Sequence, residues 1–388
     1  MESYLDNAAT TRALASVKDV MNQVLTEDYG NPSSLHIKGM QAENYIKDAK
    51  ETIAKSLKAD PKEIIFTSGG TESNNMALIG AALANRRSGN HIITTRFEHA
   101  SVLNPVLFLQ EMGFRVTFLP VDAEGHVILA ELEEALTDDT ILVSVMHVNN
   151  EIGAVQDIKT ISGIVKAKNP EILFHVDAIQ SYGKYTICPK REGIDLLSVS
   201  GHKLHGPKGS GFLYVRDKVK IKPILYGGGQ QKGMRSGTEN VPAIAGLAEA
   251  VRVYYTDHEE KVNHMYELKA RLLKGLSELP GVHVNGLPAD GDIRKTAPHI
   301  VNIGFEGVRS EVLLHALEEK GVYVSSGSAC SSNHPALSGT LQAIGVEQAM
   351  LDSAIRFSFS VYTTDEEVDY AAEQVKALVP MLRRYRRK

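Results

Sequence analysis

A chain of 388 residues exceeds what one small core can organise, and its size calls for two or three packed units. Hydrophobic residues make up 43% and charged residues 23%, the balance of an ordinary globular protein, and a formal net charge of -5 gives no basic excess for general nucleic-acid or membrane binding. Two cysteines, Cys188 and Cys330, cannot build a disulfide framework, no window is apolar enough to span a bilayer, and Met1 to Asp6 lacks the regions of a signal peptide, so the cytoplasm is the expected compartment.

The chain opens on a short strand, Tyr4-Leu5-Asp6, that runs into a polar loop, Asn7 to Thr11. A turn follows at Tyr29 to Ser34, where Pro32 biases Asn31 toward extended backbone. Apolar and small residues recur at helical spacing from Lys38 to Lys58, and Ile64 to Thr67 reads as a short buried strand. That strand leads into Ser68-Gly69-Gly70-Thr71-Glu72-Ser73-Asn74-Asn75, with a helix expected from Met76. Such a turn is commonly only a turn, but it also places bare amides and the positive end of a helix dipole where a phosphate can dock, with Gly70 and Thr71 as the candidates.

A strand at His91 to Thr95 delivers Arg96-Phe97-Glu98-His99-Ala100-Ser101 and a further helix. Strands at Phe114 to Leu119 and Ile141 to His147 alternate with a helix at Leu129 to Leu136. This is the pattern of a largely parallel sheet covered on both faces, whose ligands gather at strand ends. His147-Val148 delivers Asn149-Asn150-Glu151, ordinary turn residues in which the Asn149 amide also suits a phenolic oxygen or a carboxylate.

Two later stretches carry the first centre of chemistry. Ile172 to Val176 presents Asp177 at a strand end, followed by Ala178-Ile179-Gln180. The run Leu196 to Ser200 then gives way to Gly201-His202-Lys203, and Gly206-Pro207 breaks the chain. A lysine beside a histidine on a turn is usually a solvated charge. With a carboxylate at an earlier strand end, however, it supplies the amine and the anion that pyridoxal phosphate requires. His202 and His205 are spaced by three, but the glycine-proline break and the lack of nearby cysteine or carboxylate ligands argue against a metal.

A strand over 210–215, a glycine-rich run from Tyr226 to Gly233 and the loop Met234 to Asn240 precede long helices from Val241 to Leu279, closed by Pro280-Gly281. His299 to Gly304, Glu311 to Glu318 and Val322 to Ser325 suggest a small α+β unit. Cys330 follows in Ser325-Ser326-Gly327-Ser328-Ala329-Cys330-Ser331-Ser332. A lone cysteine is most often a small buried hydrophobe. Here serine and glycine surround it and no apolar periodicity asks for a core position, which points to an exposed, reachable thiol. An ordinary thiol pKa of about 8.5 makes only a minority thiolate at neutral pH. Cys188 lies beside an apolar segment and reads as structural. Ile355 to Ser360 is an alternating strand with one arginine, Arg356, whose planar fork suits an α-carboxylate. A helix over Asp365 to Leu382 and a basic tail, Arg383 to Lys388, close the chain.

Tyr4 to Thr11, His175-Val176-Asp177-Ala178-Ile179-Gln180, Ser200-Gly201-His202-Lys203 and Ile355-Arg356-Phe357-Ser358, in this order, resemble the motifs of the cysteine desulfurases among class V aminotransferase-fold enzymes, over nearly the whole chain. The resemblance implies an α/β, PLP-dependent transferase fold of type I. It implies a mainly parallel seven-stranded sheet flanked by helices in residues 13–257, a smaller α+β domain in 258–388 carrying the cysteine loop, and an N-terminal segment, 1–12, joining the small domain. It further implies a homodimer that converts L-cysteine to L-alanine and passes the sulfur, as a persulfide on Cys330, to an acceptor serving iron-sulfur clusters or tRNA or cofactor thiolation.

On the same resemblance Lys203 links the cofactor, Asp177 faces its ring nitrogen and His99 stacks on its ring and relays protons. Gly70, Thr71, Asn149, Gln180, Ser200 and His202 complete its binding, with Thr238 contributed by the neighbouring subunit. Asn31, Asn149 and Arg356 face the substrate, and no metal is expected. The stretch from Cys330 through Asn333 to Gly345 is similar to the longer cysteine loop of the housekeeping group. Leu204-His205 stands where isoleucine and tyrosine are common, and Gly70 where alanine is. A selenocysteine lyase or a small-substrate aminotransferase shares the cofactor residues, but transamination needs no thiol. A scaffold protein that kept the fold without activity has no need of Asp177, Lys203 and Arg356 together.

Overall fold

A computed structural model of the protein describes residues 1–326 and 337–384. β1 (Ser3–Tyr4) leads into α1 (Ala15–Thr26), a helix that buries only Val17 and Val24, too few apolar positions to give it a clear periodic signal. α2 (Ile37–Leu57) turns Ala42, Ile46, Ala49, Ile53 and Leu57 inward and stops at Lys58, whose φ of 51° is left-handed. β2 (Ile64–Thr67) runs into α3 (Gly70–Asn85), and β3 (His91–Thr95) runs into α4 (Ala100–Glu111). There follow β4 (Arg115–Leu119), α5 (Leu129–Ala135), β5 (Thr140–Met146), α6 (Ile158–Lys168), β6 (Leu173–Asp177), α7 (Pro189–Glu192), β7 (Leu196–Ser200) and β8 (Gly211–Val215).

These strands form a seven-stranded sheet in the order β2-β8-β7-β6-β5-β3-β4. All its neighbours are parallel except β8, which runs antiparallel to both β2 and β7. The mainly parallel α/β architecture expected from the sequence is therefore present. α8 (Val241–Tyr255) and α9 (His258–Leu276) come next, separated at Asp257, where φ is 50°. Successive strand residues point to opposite faces: Phe66, Ile93, Val143, Phe174, Leu197 and Phe212 pack toward α2 and α8, while Ile65, Ile92, Leu142, Leu173, Leu196 and Leu213 pack toward α3 and α4. Covering on both faces is what makes these strands continuous apolar runs rather than alternating ones.

The C-terminal unit contains β9 (Val282–Asn285), β10 (Ile300–Phe305), α10 (Ser310–Glu318), β11 (Val322–Tyr323), β12 (Ser325–Ser326), α11 (Gly339–Ala343), β13 (Ala354–Ser358) and α12 (Asp365–Arg384). Its antiparallel sheet has the order β12-β13-β10-β9 and a core of its own that includes Leu268, Leu272, Ile303, Phe305, Ile355, Phe357 and Val375. β1 pairs in parallel with β11, and Leu5 is buried in this second core. Among the described residues no helix is long and apolar enough to cross a membrane.

One element begins earlier than its sequence suggests. α3 starts at Gly70 rather than Met76, because the Glu72 carboxylate accepts from the Ser68 N–H at 2.8 Å and the Gly69 carbonyl already accepts from Ser73 at 3.1 Å. Its first turns carry polar residues turned toward a cavity, so apolar periodicity does not mark them.

Candidate active site

The carboxyl ends of β5, β6 and β7 meet at one edge of the large sheet, where parallel α/β sheets present their ligand crevices. A cavity of about 440 Å³ opens there. Its wall brings together Asp177 at the end of β6 with Gln180 beyond it, Ser200 at the end of β7 with His202 and Lys203 beyond it, Gly70 and Thr71 at the start of α3, His99 before α4, and Arg356 from the small sheet. Asp6, Ala8 and Ala9 of the N-terminal loop close one side. Of the other residues singled out in the sequence, Asn31 and Thr238 are exposed and away from this wall. Asn149 is buried behind it, its Oδ1 accepting from the amides of Glu151 and Ile152, and its neighbour Asn150 reaches the wall instead. Cys330 lies outside the described residues.

The carboxylate of Asp177 is the electrostatic centre of the cavity. Burial pushes its pKa up, while the Ile179 N–H at 3.0 Å and the Asn74 amide at 2.8 Å oppose that by donating to it. Asn74, one turn along α3 from Gly70, also donates to Ser101 Oγ at 2.9 Å. The hydroxyl of Ser101 lies 2.8 Å from Nδ1 of His99, and the Ser101 N–H donates to that same nitrogen at 3.1 Å. Nδ1 is therefore an acceptor and the neutral ring carries its proton on Nε2. Burial lowers the His99 pKa, the Asp177 charge raises it and the Lys203 charge lowers it again, so the ring is neutral at pH 7. Behind it the Glu98 carboxyl, raised to about 8 chiefly by burial, holds its proton at neutral pH, with Oε1 accepting from Thr95 and from the Met146 N–H.

The sequence alone does not distinguish Asn74 and Ser101 from ordinary polar helix positions. The signal for Asn74 was its spacing of four from Gly70, which puts both on one helix face once the helix is known to start at Gly70. His175, which precedes Asp177 in the motif, has a structural role: its ring bridges Ser144 and Ser198 across β5, β6 and β7.

At the other end of the cavity the first turn of α3 presents its N-terminal amides. Gly69 adopts φ 148°, a conformation that favours glycine. A Cβ at Gly70 would lie 2.2 Å from Cδ1 of Ile179, so the large Ile179 side chain occupies the space that an alanine methyl would need. The glycine-rich loop is tied to this turn by Arg235, which donates to both carboxylate oxygens of Glu72, at 2.7 and 3.2 Å.

Lys203 ends a 3-10 turn, and its Nζ donates to the carbonyls of Ala8 and Ala9 at 2.5 and 2.6 Å. The same N-terminal loop is fastened to the turn at several other points. Thr11 donates to the His202 carbonyl through both N–H and Oγ1, Thr11 Oγ1 accepts from the His205 N–H, and Gln180 donates to the Ala8 carbonyl. His205, where a tyrosine is common, sits at φ 64° and bonds the Arg12 carbonyl through Nδ1.

Arg356 arrives from β13 across the junction of the two units. Its Nη1 donates to the Asn150 carbonyl and its Nη2 to Asp6, each at 2.8 Å, while its buried Nε has no hydrogen-bond partner among the described residues. An unpaired buried donor is costly unless a ligand completes it. Nη2 and Nε form the side-on edge of the guanidinium, the edge that takes a carboxylate with two parallel bonds.

The chain matches the family model for aminotransferase class-V over residues 3–371. A curated relative from Methanosarcina thermophila, called cysteine desulfurase IscS, is 44% identical over 380 residues, which cover 98% of this chain and 92% of that protein. A NifS/IcsS protein homolog from Lactobacillus delbrueckii subsp. bulgaricus is 46% identical over 94% of each chain. Among solved structures, a NifS-like protein superposes with a TM-score of 0.92 at 39% identity, covering 98% of this chain and all of the other. DndA from Streptomyces lividans superposes with a TM-score of 0.76 at 37% identity over 92% of this chain and 99% of its own.

Proposed function

The chain belongs to the aminotransferase class-V family, and on that premise we propose that it is a cysteine desulfurase that uses pyridoxal phosphate to move the sulfur of L-cysteine to an acceptor. The observation that carries the reading is the meeting of Asp177, Lys203 and Arg356 in one cavity: an anion, an amine and a carboxylate receptor.

The residues present fit the cofactor. A buried carboxylate whose ionised form burial disfavours is suited to a cationic ring nitrogen, and the α3 amides beside Gly69 and Gly70 are suited to a phosphate. Gly70, Thr71, Ser200 and His202 would hold the phosphate end, Asp177 the ring nitrogen, and His99 and Gln180 the ring, with Lys203 as the covalent anchor. When bound, the cofactor supplies an electron-withdrawing ring that stabilises charge at the substrate α-carbon.

The protein's own residues do the rest. Arg356 would orient the substrate through its carboxylate, and Lys203 Nζ would accept a proton from the substrate α-carbon and return it. Cys330 takes the sulfur: its thiolate forms an S–S bond, the Cβ–S bond breaks, and the carbon that keeps the electron pair is protonated. One L-cysteine and one thiol thus give one L-alanine and one persulfide. The acceptor belongs to iron-sulfur assembly or to tRNA or cofactor thiolation, and a reducing cytoplasm suits a thiol with this duty.

The test is alanine formed from L-cysteine by the purified protein, together with its loss in Asp177→Asn. A neutral amide cannot hold the ring nitrogen protonated, so turnover should fall by roughly a hundredfold while the protein stays folded. Wild-type turnover in that variant, or no alanine from the native protein, would defeat the proposal.

We further propose a homodimer in which Thr238 completes the phosphate site of the other subunit. In support, Thr238 is exposed, and so are large apolar side chains in its own loop and near the turn at 29–34: Tyr226 at 77%, Tyr29 at 69% and Leu35 at 98%. Sedimentation should give twice the chain mass; an active species of 42.3 kDa would refute sharing.

A further inference from the structure

Gln180 and His299 meet at the junction of the two units, and both are buried, at 5% and 2% exposure. Gln180 lies beyond β6 and lines the cavity. His299 stands one residue before β10, where its carbonyl accepts from the Phe359 N–H at 2.9 Å and Ile300 pairs with Ser358. Its imidazole therefore reaches from the small sheet to a strand end of the large one, and Nε2 lies 3.2 Å from Gln180 Oε1.

One fixed acceptor assigns the hydrogens of this contact. The Ala8 carbonyl can only accept, so the end of the Gln180 amide 2.9 Å from it is the NH2. That orientation turns Oε1 toward His299, and Oε1 can only accept as well. Nε2 of His299 is then the protonated nitrogen, and Nδ1, buried and without a partner among the described residues, is the bare lone pair. The other tautomer would set two lone pairs against each other and strand an N–H on Nδ1. Burial, and after it the charges of Lys184, Lys269, Arg356 and Lys203, holds the His299 pKa well below the usual histidine range, so the ring is a neutral donor at pH 7.

Ala8 is where these bonds converge. Its carbonyl accepts from Lys203 Nζ at 2.5 Å as well as from Gln180, and its N–H donates to Ser358 Oγ at 2.8 Å, on the strand beside β10. The second N–H of the Gln180 amide has no partner among the described residues. The two ends of a carboxamide have nearly the same shape, so only its partners decide which way it faces.

We infer that His299 is a positioning residue for Gln180: by donating from Nε2 to Oε1 it fixes the amide with its NH2 toward Ala8 and keeps one N–H of that amide for a ligand in the cavity. The small unit thereby sets a polar group of the large unit's cavity. This inference rests on the cavity holding pyridoxal phosphate, and its test separates the two.

The full-length holoenzyme is reduced with borohydride and its peptides are mapped. The dissociation constant of pyridoxal phosphate is then measured by absorbance for wild type, His299→Phe, His299→Gln, Gln180→Leu and the double variant of His299→Phe with Gln180→Leu. His299→Phe keeps a ring without a donor and should weaken binding roughly five- to tenfold, because Oε1 is left buried and unpaired. His299→Gln carries an amide N–H to the place of Nε2 and should stay within about threefold of wild type. In the double variant the His299 change should add less than about twofold to the loss in Gln180→Leu, since a residue acting through another has no further effect once that other is gone. If His299→Phe does not fold, His299→Asn, a smaller polar residue whose amide stops short of Gln180, carries the same expected loss. No uptake of pyridoxal phosphate, or reduction at a lysine other than Lys203, would remove the catalytic reading and this inference with it. Reduction at Lys203 with additive losses in the double variant, with unchanged binding in His299→Phe, or with an equal loss in His299→Gln would overturn only the role of His299.

Discussion

Lys203→Ala is expected to lower turnover of L-cysteine by roughly a thousandfold or more, because it removes both the proposed covalent anchor and the group proposed to move the α-proton. The fold should survive. Alanine loses the bonds from Nζ to the Ala8 and Ala9 carbonyls, but the N-terminal loop keeps its ties from Thr11 to His202, from His205 to Thr11 and from Gln180 to Ala8. The phosphate cradle at α3 and the Asp177 carboxylate are untouched, so the variant should still take up pyridoxal phosphate reversibly, and dialysis should remove it. Borohydride reduction of the wild type followed by peptide mapping gives the direct check. A reduced adduct on any other lysine refutes the assignment, as does an alanine variant that retains turnover.

The legible part of this site was its backbone logic. Asp177 stands at the end of an apolar run and Lys203 on a turn bounded by Gly206-Pro207, and chemistry at such points can be read from residue order alone. The groups that tune these residues were hidden. Asn74 and Ser101 lie in helices whose sequence shows nothing beyond ordinary polar positions, and their roles appear only when α3 and α4 are packed side by side so that one amide spans Ser101 and Asp177. Asn149 and Asn150 are chemically identical in sequence. The turn decides between them, engaging Asn149 in capping two amides and aiming the Asn150 carbonyl at Arg356.

The same limit explains Gly70. Read alone it is a departure from alanine, while in the structure it compensates for Ile179, which fills the same volume from another strand end. Pairs of this kind, distant in sequence and coupled by packing, have no local signal. Lys184 is a further case, since nothing in Ser181-Tyr182-Gly183-Lys184 marks its burial or its bond to the Lys203 carbonyl.

Cys330→Ser is expected to separate binding from sulfur transfer. Cys330 is four positions beyond Ser326, and β12 pairs with the strand of Arg356, Ser325 opposite Arg356 itself. The described residues proposed to bind cofactor and substrate carboxylate are all retained in the variant, so the absorbance change on adding L-cysteine should match that of the wild type. Alanine and sulfide formation should fall by on the order of a hundredfold or more, because a hydroxyl at this position is a far weaker nucleophile toward sulfur than a thiolate. Cys188→Ser supplies the contrast: that residue is buried at the N-cap of the short helix α7 and is not part of the cavity wall, and its loss should leave alanine formation nearly normal. Protein-bound persulfide, measured by mass spectrometry after incubation with L-cysteine, should be present in wild type and Cys188→Ser and absent in Cys330→Ser. Normal alanine and sulfide from Cys330→Ser, with no protein-bound persulfide, would mean that Cys330 does not receive the sulfur, and the activity would then be that of a lyase using the same cavity.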